Sequence, residues 1–482
     1  MIRARILTTA LLLSAIVAQP VCSDDSQVVD DAEASRALSR AVEFFRTHAG
    51  VEGGYVYRVS ADLTKREGEG KVGPTTAWIE PPGTPAVGLA YLRAYQLTQR
   101  AFLLDAAIES GMALVRGQLH SGGWDNRIEF APEDRRRYAY RVDVDTPKGR
   151  RNTTTFDDNK SQSALRLLME LDHELEFRHE EIHEAATYAL DAFLKAQYPN
   201  GAWPQRYSEF PDPDGFPVKQ ASFPETWSRT YPGKDYKGFY TLNDNTICDM
   251  ISTMFLAWDI YGDERYRDAA IRGGEFLLLA QLPEPQPGWA QQYNHDMQPA
   301  WARKFEPPAI TGGESQTVMR MLLTLYVRTG ESRFLDPLPR ALEYYRSLLR
   351  SDGRLARFYE IGTDQPLYFT KDYQLTDSDA DMPTHYGFVV SSRLDRIASQ
   401  YERTRRAEIH QEQLPLALRR PRQSPALTRR AREVIDALDS QGAWIDSDRL
   451  RYYGDDDDTR QVISSQTFSR NIVTLAEFLA AR

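Results

Sequence analysis

The sequence predicts an all-α fold: a ring of helical hairpins, an α/α toroid, with long loops on its active face. Three observations predict it. Ile247, Met250, Ile251, Met254, Phe255 and Trp258 recur in steps of three and four, one apolar stripe along a helix. Val318, Met321, Leu322 and Leu325 repeat the spacing, as do Leu165, Leu168 and Leu171, and no comparable alternating run of β-branched residues opposes them. A turn also recurs: Gln118 with Gly123-Trp124, Gln197 with Gly201-Ala-Trp203, Gln281 with Gly288-Trp289, and Gln441 with Gly442-Ala-Trp444. Ser351-Asp-Gly-Arg-Leu355 is a degenerate copy. The recurrence, every ~65–90 residues, suits two helices and two loops per unit.

In chain order, residues 1–23 read as a secretory signal: Arg3 and Arg5, then an apolar stretch from Leu7 to Ala18. The stretch is too short to anchor in a membrane. The expectation is a secreted or periplasmic monomer with one domain over residues 24–482 and no membrane span. If cleavage removes Cys22, Cys248 stands alone and no intrachain disulfide can form. Helices are expected to begin near Pro85, Asp158, Asn245, Gly313, Pro383 and Ser464, alternating with helices that end at the Gly-Trp turns. In a ring, those N-termini gather on one face. The loops Ser121–Thr155 and Tyr207–Lys237 fall on the same side, and loops this long inside a compact domain are usually functional or disordered. The Arg-rich stretch Arg403–Arg430 is expected to wrap the outside before the last helix pair. With 41% hydrophobic and 27% charged residues the chain is globular, and its net charge of -10 argues against non-specific nucleic-acid binding.

Polar clusters precede three of the expected helices. Asp157-Asp158-Asn159 and Asn243-Asp244-Asn245 offer paired Asx side chains, and the third cluster offers Arg303-Lys304. One Asx residue suffices to cap a helix, and three in a row exceed that need. Carboxylates and amide carbonyls are the ligands Ca²⁺ prefers, and two or three of them leave positions open for substrate. Trp301, Phe305, Pro307 and Pro308 surround Arg303-Lys304, and Arg206 and Arg357 likewise stand beside aromatics (Tyr207, Tyr359). Aromatics beside arginines suit a sugar acid, whose ring stacks while its carboxylate pairs.

Thr-Phe-Asp157-Asp158, Gly201-Ala-Trp-Pro-Gln-Arg-Tyr207, Leu242-Asn-Asp244-Asn245, the Trp289-Ala-Gln-Gln turn and Ala302-Arg303…Pro307-Pro308…Gly313-Glu314-Ser315 resemble polysaccharide lyase family 10, the pectic acid lyases. The motifs occur in family order from about Pro81 to about Asp372. The resemblance implies a pectate lyase on an α/α toroid, cleaving polygalacturonate by Ca²⁺-assisted anti β-elimination to 4,5-unsaturated products. It implies Asp157 and Asp244 as calcium ligands with Asp158 beside them, Arg303 as catalytic base, and Lys371 in place of a substrate-binding arginine. Lys304, Arg206, Arg357 and Tyr359 complete the expected substrate-binding set, and an acidic polysaccharide (pectin) is the expected partner. The chain departs from the family where a second substrate arginine would stand, with Pro383-Thr-His385-Tyr386-Gly instead.

Other readings are a uronate or pectin-oligosaccharide hydrolase on the same ring, or a ring that binds pectin without cutting it. His179-Glu-Glu-Ile-His183 matches a zinc-hydrolase string, but Ala189 stands where some families need a third histidine. The turns also resemble those of triterpene cyclases, which need a large apolar cavity, whereas the suspected face here is Asp, Asn, Arg and Lys.

Overall fold

A computed structural model describes residues 29–407, 416 and 420–481. The signal segment and Cys22 lie outside these residues, as does part of the Arg403–Arg430 stretch. Among the described residues the helices are α1 (Asp31–Phe44), α2 (Thr84–Thr98), α3 (Ala101–Gly117), a single turn α4 (Pro132–Arg135), α5 (Lys160–Glu174), α6 (Glu180–Lys195) and α7 (Thr246–Tyr261). They continue with α8 (Glu264–Leu279), α9 (Glu314–Thr329), α10 (Leu338–Ser347), α11 (Leu394–Ala407), α12 (Pro425–Asp436) and α13 (Ser465–Ala480).

The helices form an α/α toroid. α13, α2, α5, α7, α9 and α11 pack one on the next as the inner layer. α3, α6, α8 and α10 lie outside, and α1 and α12 pack on α13. Short antiparallel strands tie the hairpins other than the one α11 opens: the strand leading into an inner helix pairs with the strand after its outer partner. Thr154–Thr155 pairs with Arg206–Tyr207, Tyr240–Thr241 with Gln292–Tyr293, and Ile310–Thr311 with Phe358–Tyr359. Val462–Ser464, ahead of α13, pairs with Arg58–Ser60, after α1. The ring therefore closes by joining the last inner helix to the first outer one.

The recurring Gln and Trp explain the ring. Trp124, Trp203, Trp289 and Trp444 each donate an indole N–H to a carbonyl of the preceding outer helix, at Leu114, Phe193, Leu277 and Val434 (2.8–2.9 Å). Gln118 Nε2 donates to Gly122 O in its own turn and to Ala185 O on α6, the next outer helix. Gln197 makes the same pair with Gly201 O and Ala269 O on α8, and Gln281 with Pro287 O and Pro337 O ahead of α10. One side chain thus closes a turn and fixes the spacing of two outer helices, satisfying a turn carbonyl that the helices leave unpaired. Gly201 is required in its turn: its φ is 90° and a Cβ would lie 1.9 Å from Arg272 O.

Inner helices begin where the sequence expects, with one exception. No helix starts near Pro383; α11 begins at Leu394. The intervening segment instead supplies the strand Val389–Val390, paired with Leu355–Ala356, and carries Tyr386 into the site.

Candidate active site

The two Asx runs share a backbone conformation. Asp158 and Asn159 have φ of 50° and 58°, and Asp244 and Asn245 have 47° and 62°. Two consecutive left-handed residues are costly for most side chains and tolerated by Asx. Neither Asn159 nor Asn245, the cap positions of α5 and α7, makes a side-chain capping bond. The surplus Asx residues therefore turn the chain rather than cap it, and the turn brings their carboxylates to one point between the starts of α5 and α7.

There, one oxygen from each of Asp157, Asp158 and Asp244 lies within 4.8 Å of the others. Gln205 Nε2 holds Asp157 Oδ1 at 2.9 Å and Arg206 Nη2 holds Oδ2 at 3.0 Å. Asp244 has no such neighbour. Burial and the charges of Asp158 and Asp157 push its carboxyl up to about 8, against the lowering effect of Arg303. Asn159 Oδ1, buried, has no hydrogen-bond partner. Three converging carboxylates and a spare amide oxygen fit a hard divalent cation such as calcium, whose oxygen ligands lie ~2.3–2.6 Å from it.

Arg303 faces this trio, its Nη2 3.9 Å from Asp244 Oδ2. Glu306, 1% exposed, accepts from Arg303 Nη2 at 2.5 Å and from Arg303 N at 3.0 Å. Tyr386 OH donates to Glu306 Oε1 at 3.0 Å, and Asn243 Nδ2 does so at 3.4 Å. Burial works to lower the Arg303 pKa, but the hydrogen bond and charge of Glu306 outweigh it and hold the guanidinium above its ordinary range. The charged groups that act on the guanidinium are carboxylates, Glu306 first and then Asp244.

Arg357 lies 4.8 Å over the Tyr386 ring, and its Nη1 pairs with Glu314 Oε1 at 2.7 Å. Lys304, exposed, sits 3.5 Å over Tyr373. Beside Asp244 opens a groove of about 420 Å³, lined by Asn245, Glu314, Gln316, Thr317, Arg357 and Arg393 among others. A larger cavity, about 890 Å³, lies between residues 60–65 and 447–461 and shares no lining residue with the site.

Of the residues expected here, Asp157, Asp158, Asp244, Arg303 and Arg206 come together, with Arg357 one carboxylate away through Glu314. Lys371 stands apart, exposed and paired with Asp381 at 3.1 Å. Tyr359 is a correction. It is 1% exposed, and its hydroxyl accepts from Ala356 N and donates to Leu348 O, so it locks a turn and meets no substrate. Tyr293 makes the same pair of bonds with Ala290 N and Ala280 O one unit earlier. Sequence reasoning missed Glu306, Tyr386 and Gln291, whose Nε2 donates to Asn243 Oδ1 and to Tyr386 OH; only their place in the quoted motifs, or in the departure from them, could have flagged them. In the Tyr207–Lys237 loop, Ser228 O accepts from Trp301 Nε1 at 2.8 Å and Arg229 pairs with Glu360, which places it over the Arg303 turn.

His183 Nδ1 is bonded to buried Asp172 Oδ2 at 2.8 Å, which also accepts from Tyr261 OH. Among the described residues the groups able to hold a metal are two, Asp157-Asp158-Asp244 and Glu69-Glu80-Asp158, and neither includes these histidines. Asp457 and Asp458 pair with Lys65.

The fold and site define a class: an α/α-toroid protein with a metal-competent acidic cluster and cations lining a cleft. Within that class, residues 118–332 match the family model described as pectic acid lyase, which supports a polysaccharide lyase. No curated protein matches the chain by sequence. Similar solved structures include a mutant family 10 polysaccharide lyase from Cellvibrio cellulosa in complex with trigalacturonic acid, at 18% identity, TM-score 0.44, over 67% of this chain and 98% of that one. A cellobiose 2-epimerase from Spirochaeta thermophila is similar at 13% identity, TM-score 0.43, over 93% and 96%. A family 76 α-mannanase from Bacteroides thetaiotaomicron is similar at 11% identity, TM-score 0.41, over 94% and 96%.

Proposed function

We propose that this protein is a secreted or periplasmic pectate lyase that cleaves polygalacturonate by calcium-assisted anti β-elimination. The observation that carries the reading is the meeting of Asp157, Asp158 and Asp244 within 4.8 Å, with the Arg303 guanidinium 3.9 Å from Asp244. Asp157, Asp158 and Asp244 would hold the calcium, which as a Lewis acid would draw charge from the uronate carboxylate. Gln205 and Arg206 keep Asp157 aimed inward. Arg303, in its neutral form, takes the proton α to that carboxylate. The C–H electrons form the C4–C5 double bond, the glycosidic C4–O bond breaks, and solvent protonates the leaving oxygen. Because Glu306 raises the proton affinity of Arg303, the reactive form gains population as pH rises. Arg357 and Lys304 place positive charge along the path of a polyanion, whereas Lys371 is paired with Asp381 away from it.

Incubation with polygalacturonate, with calcium or a chelator, tests the reading. Ultraviolet absorbance from the conjugated double bond should rise, and only with calcium. New reducing ends without absorbance would make the protein a hydrolase; retained pectin binding with neither signal would make it a binding protein.

A further inference from the structure

Lys160 follows directly on the first Asx run and is 1% exposed. Lysines are almost never so buried unless paired. Its ammonium is ion-paired with Glu80 Oε2 at 2.8 Å and donates a charge-assisted hydrogen bond to Asp158 Oδ2 at 3.0 Å. Glu80, Asp158 and Glu69 form the second carboxylate trio, again with oxygens within 4.8 Å of one another, and Asp158 belongs to both trios. Two acidic sets sharing one member are arranged as a pair of divalent sites would be. One of the two already contains a cation of the chain's own.

We propose that Lys160 is a tethered cation standing where a second divalent ion would otherwise bind, so that the chain takes up one ion and not two. The inference rests on the calcium reading above. The ammonium acts as a positioning residue. It holds Asp158 Oδ2 beside Glu80, and so fixes the carboxylate that the two sites share. A single tethered charge offsets part of the charge on Glu69, Glu80 and Asp158 without setting two doubly charged ions on a shared carboxylate, where they would repel.

The test is calorimetric titration of the full chain, stripped with chelator, against calcium chloride. The wild type and Lys160→Arg should each bind one ion. Lys160→Met, which keeps the length and loses the charge, should bind two. Lys160→Gln, which keeps hydrogen-bonding reach without the charge, serves if the methionine variant does not fold. The double variant Lys160→Met with Glu80→Gln should return to one ion, which places the second ion at the Glu80 trio. One ion, or none, in both uncharged variants overturns the proposal while leaving the lyase reading standing, provided the wild type binds one ion and forms the absorbing product. A wild type that binds no calcium overturns both.

Discussion

Glu306→Gln separates Arg303 as a proton acceptor from Arg303 as a fixed positive charge. In the wild type, Glu306 Oε1 lies 2.5 Å from Arg303 Nη2, and that contact outweighs the burial that would lower the Arg303 pKa. Glutamine keeps the shape and an acceptor but removes the charge. A hydrogen bond to a charged partner contributes about 1.5–3 kcal/mol. At 1.36 kcal/mol per pH unit that is about 1–2 units of proton affinity. The Arg303 side chain is 40% exposed, so solvent screening brings the figure toward about one unit. The sign follows: with the raising cause gone and burial still lowering, Arg303 loses its proton at lower pH. The rising limb of the rate against pH should move down by about one unit, read as initial ultraviolet absorbance on polygalacturonate at saturating calcium, with thermal unfolding as a check on folding. A limb that stays in place, or moves up, refutes Arg303 as the titrating base.

Asp244→Ala should abolish the calcium dependence of the reaction and the rise in Tm on adding calcium. If both persist, the Asx runs serve only to turn the backbone. In the metal-free chain, the Asp244 carboxyl is raised to about 8 from its ordinary 3.8 and keeps its proton where the unfolded chain has lost it. This contribution to stability is present below about pH 4 and lost as pH rises through about 8, so calcium should raise Tm more at pH 8 than at pH 5; equal gains would contradict the assignment. Gln281→Ala removes donors to Pro287 O and Pro337 O. Pro337 O keeps the Ala341 N–H, so one buried carbonyl, Pro287 O, is left unpaired, which should cost about 1–3 kcal/mol, seen as a lower denaturation midpoint with calcium binding intact.

The ring was legible because its causes are local and repeated. Helical stripes mark the inner helices, and the Trp of the four turns and the Gln of the first three act on carbonyls a short way along the chain or one unit on. Pro383 misled because a proline before a polar stretch reads as a helix start, whereas the backbone there is drawn into a strand by Leu355–Ala356. Asp157, Asp158 and Asp244 were legible as an acid surplus, but the left-handed turns that aim them were not, since a run of Asx residues looks the same whether it caps or turns. Glu306 illustrates the remaining gap. Its partners Asn243, Arg303 and Tyr386 come from three separate loops, and no spacing in the chain announces that they meet.

The pairing of Val462–Ser464 with Arg58–Ser60 sets the order in which this molecule can be completed. Until α13 is made, α2 and α1 lack the neighbour they pack against, and Phe45 waits for Phe468, whose ring it stacks on with centroids 3.7 Å apart. Synthesis thus leaves an unbuckled belt with greasy edges until α13 has been made, and that helix fastens it. Contacts between such remote segments make folding slow and leave the unfinished chain prone to sticking.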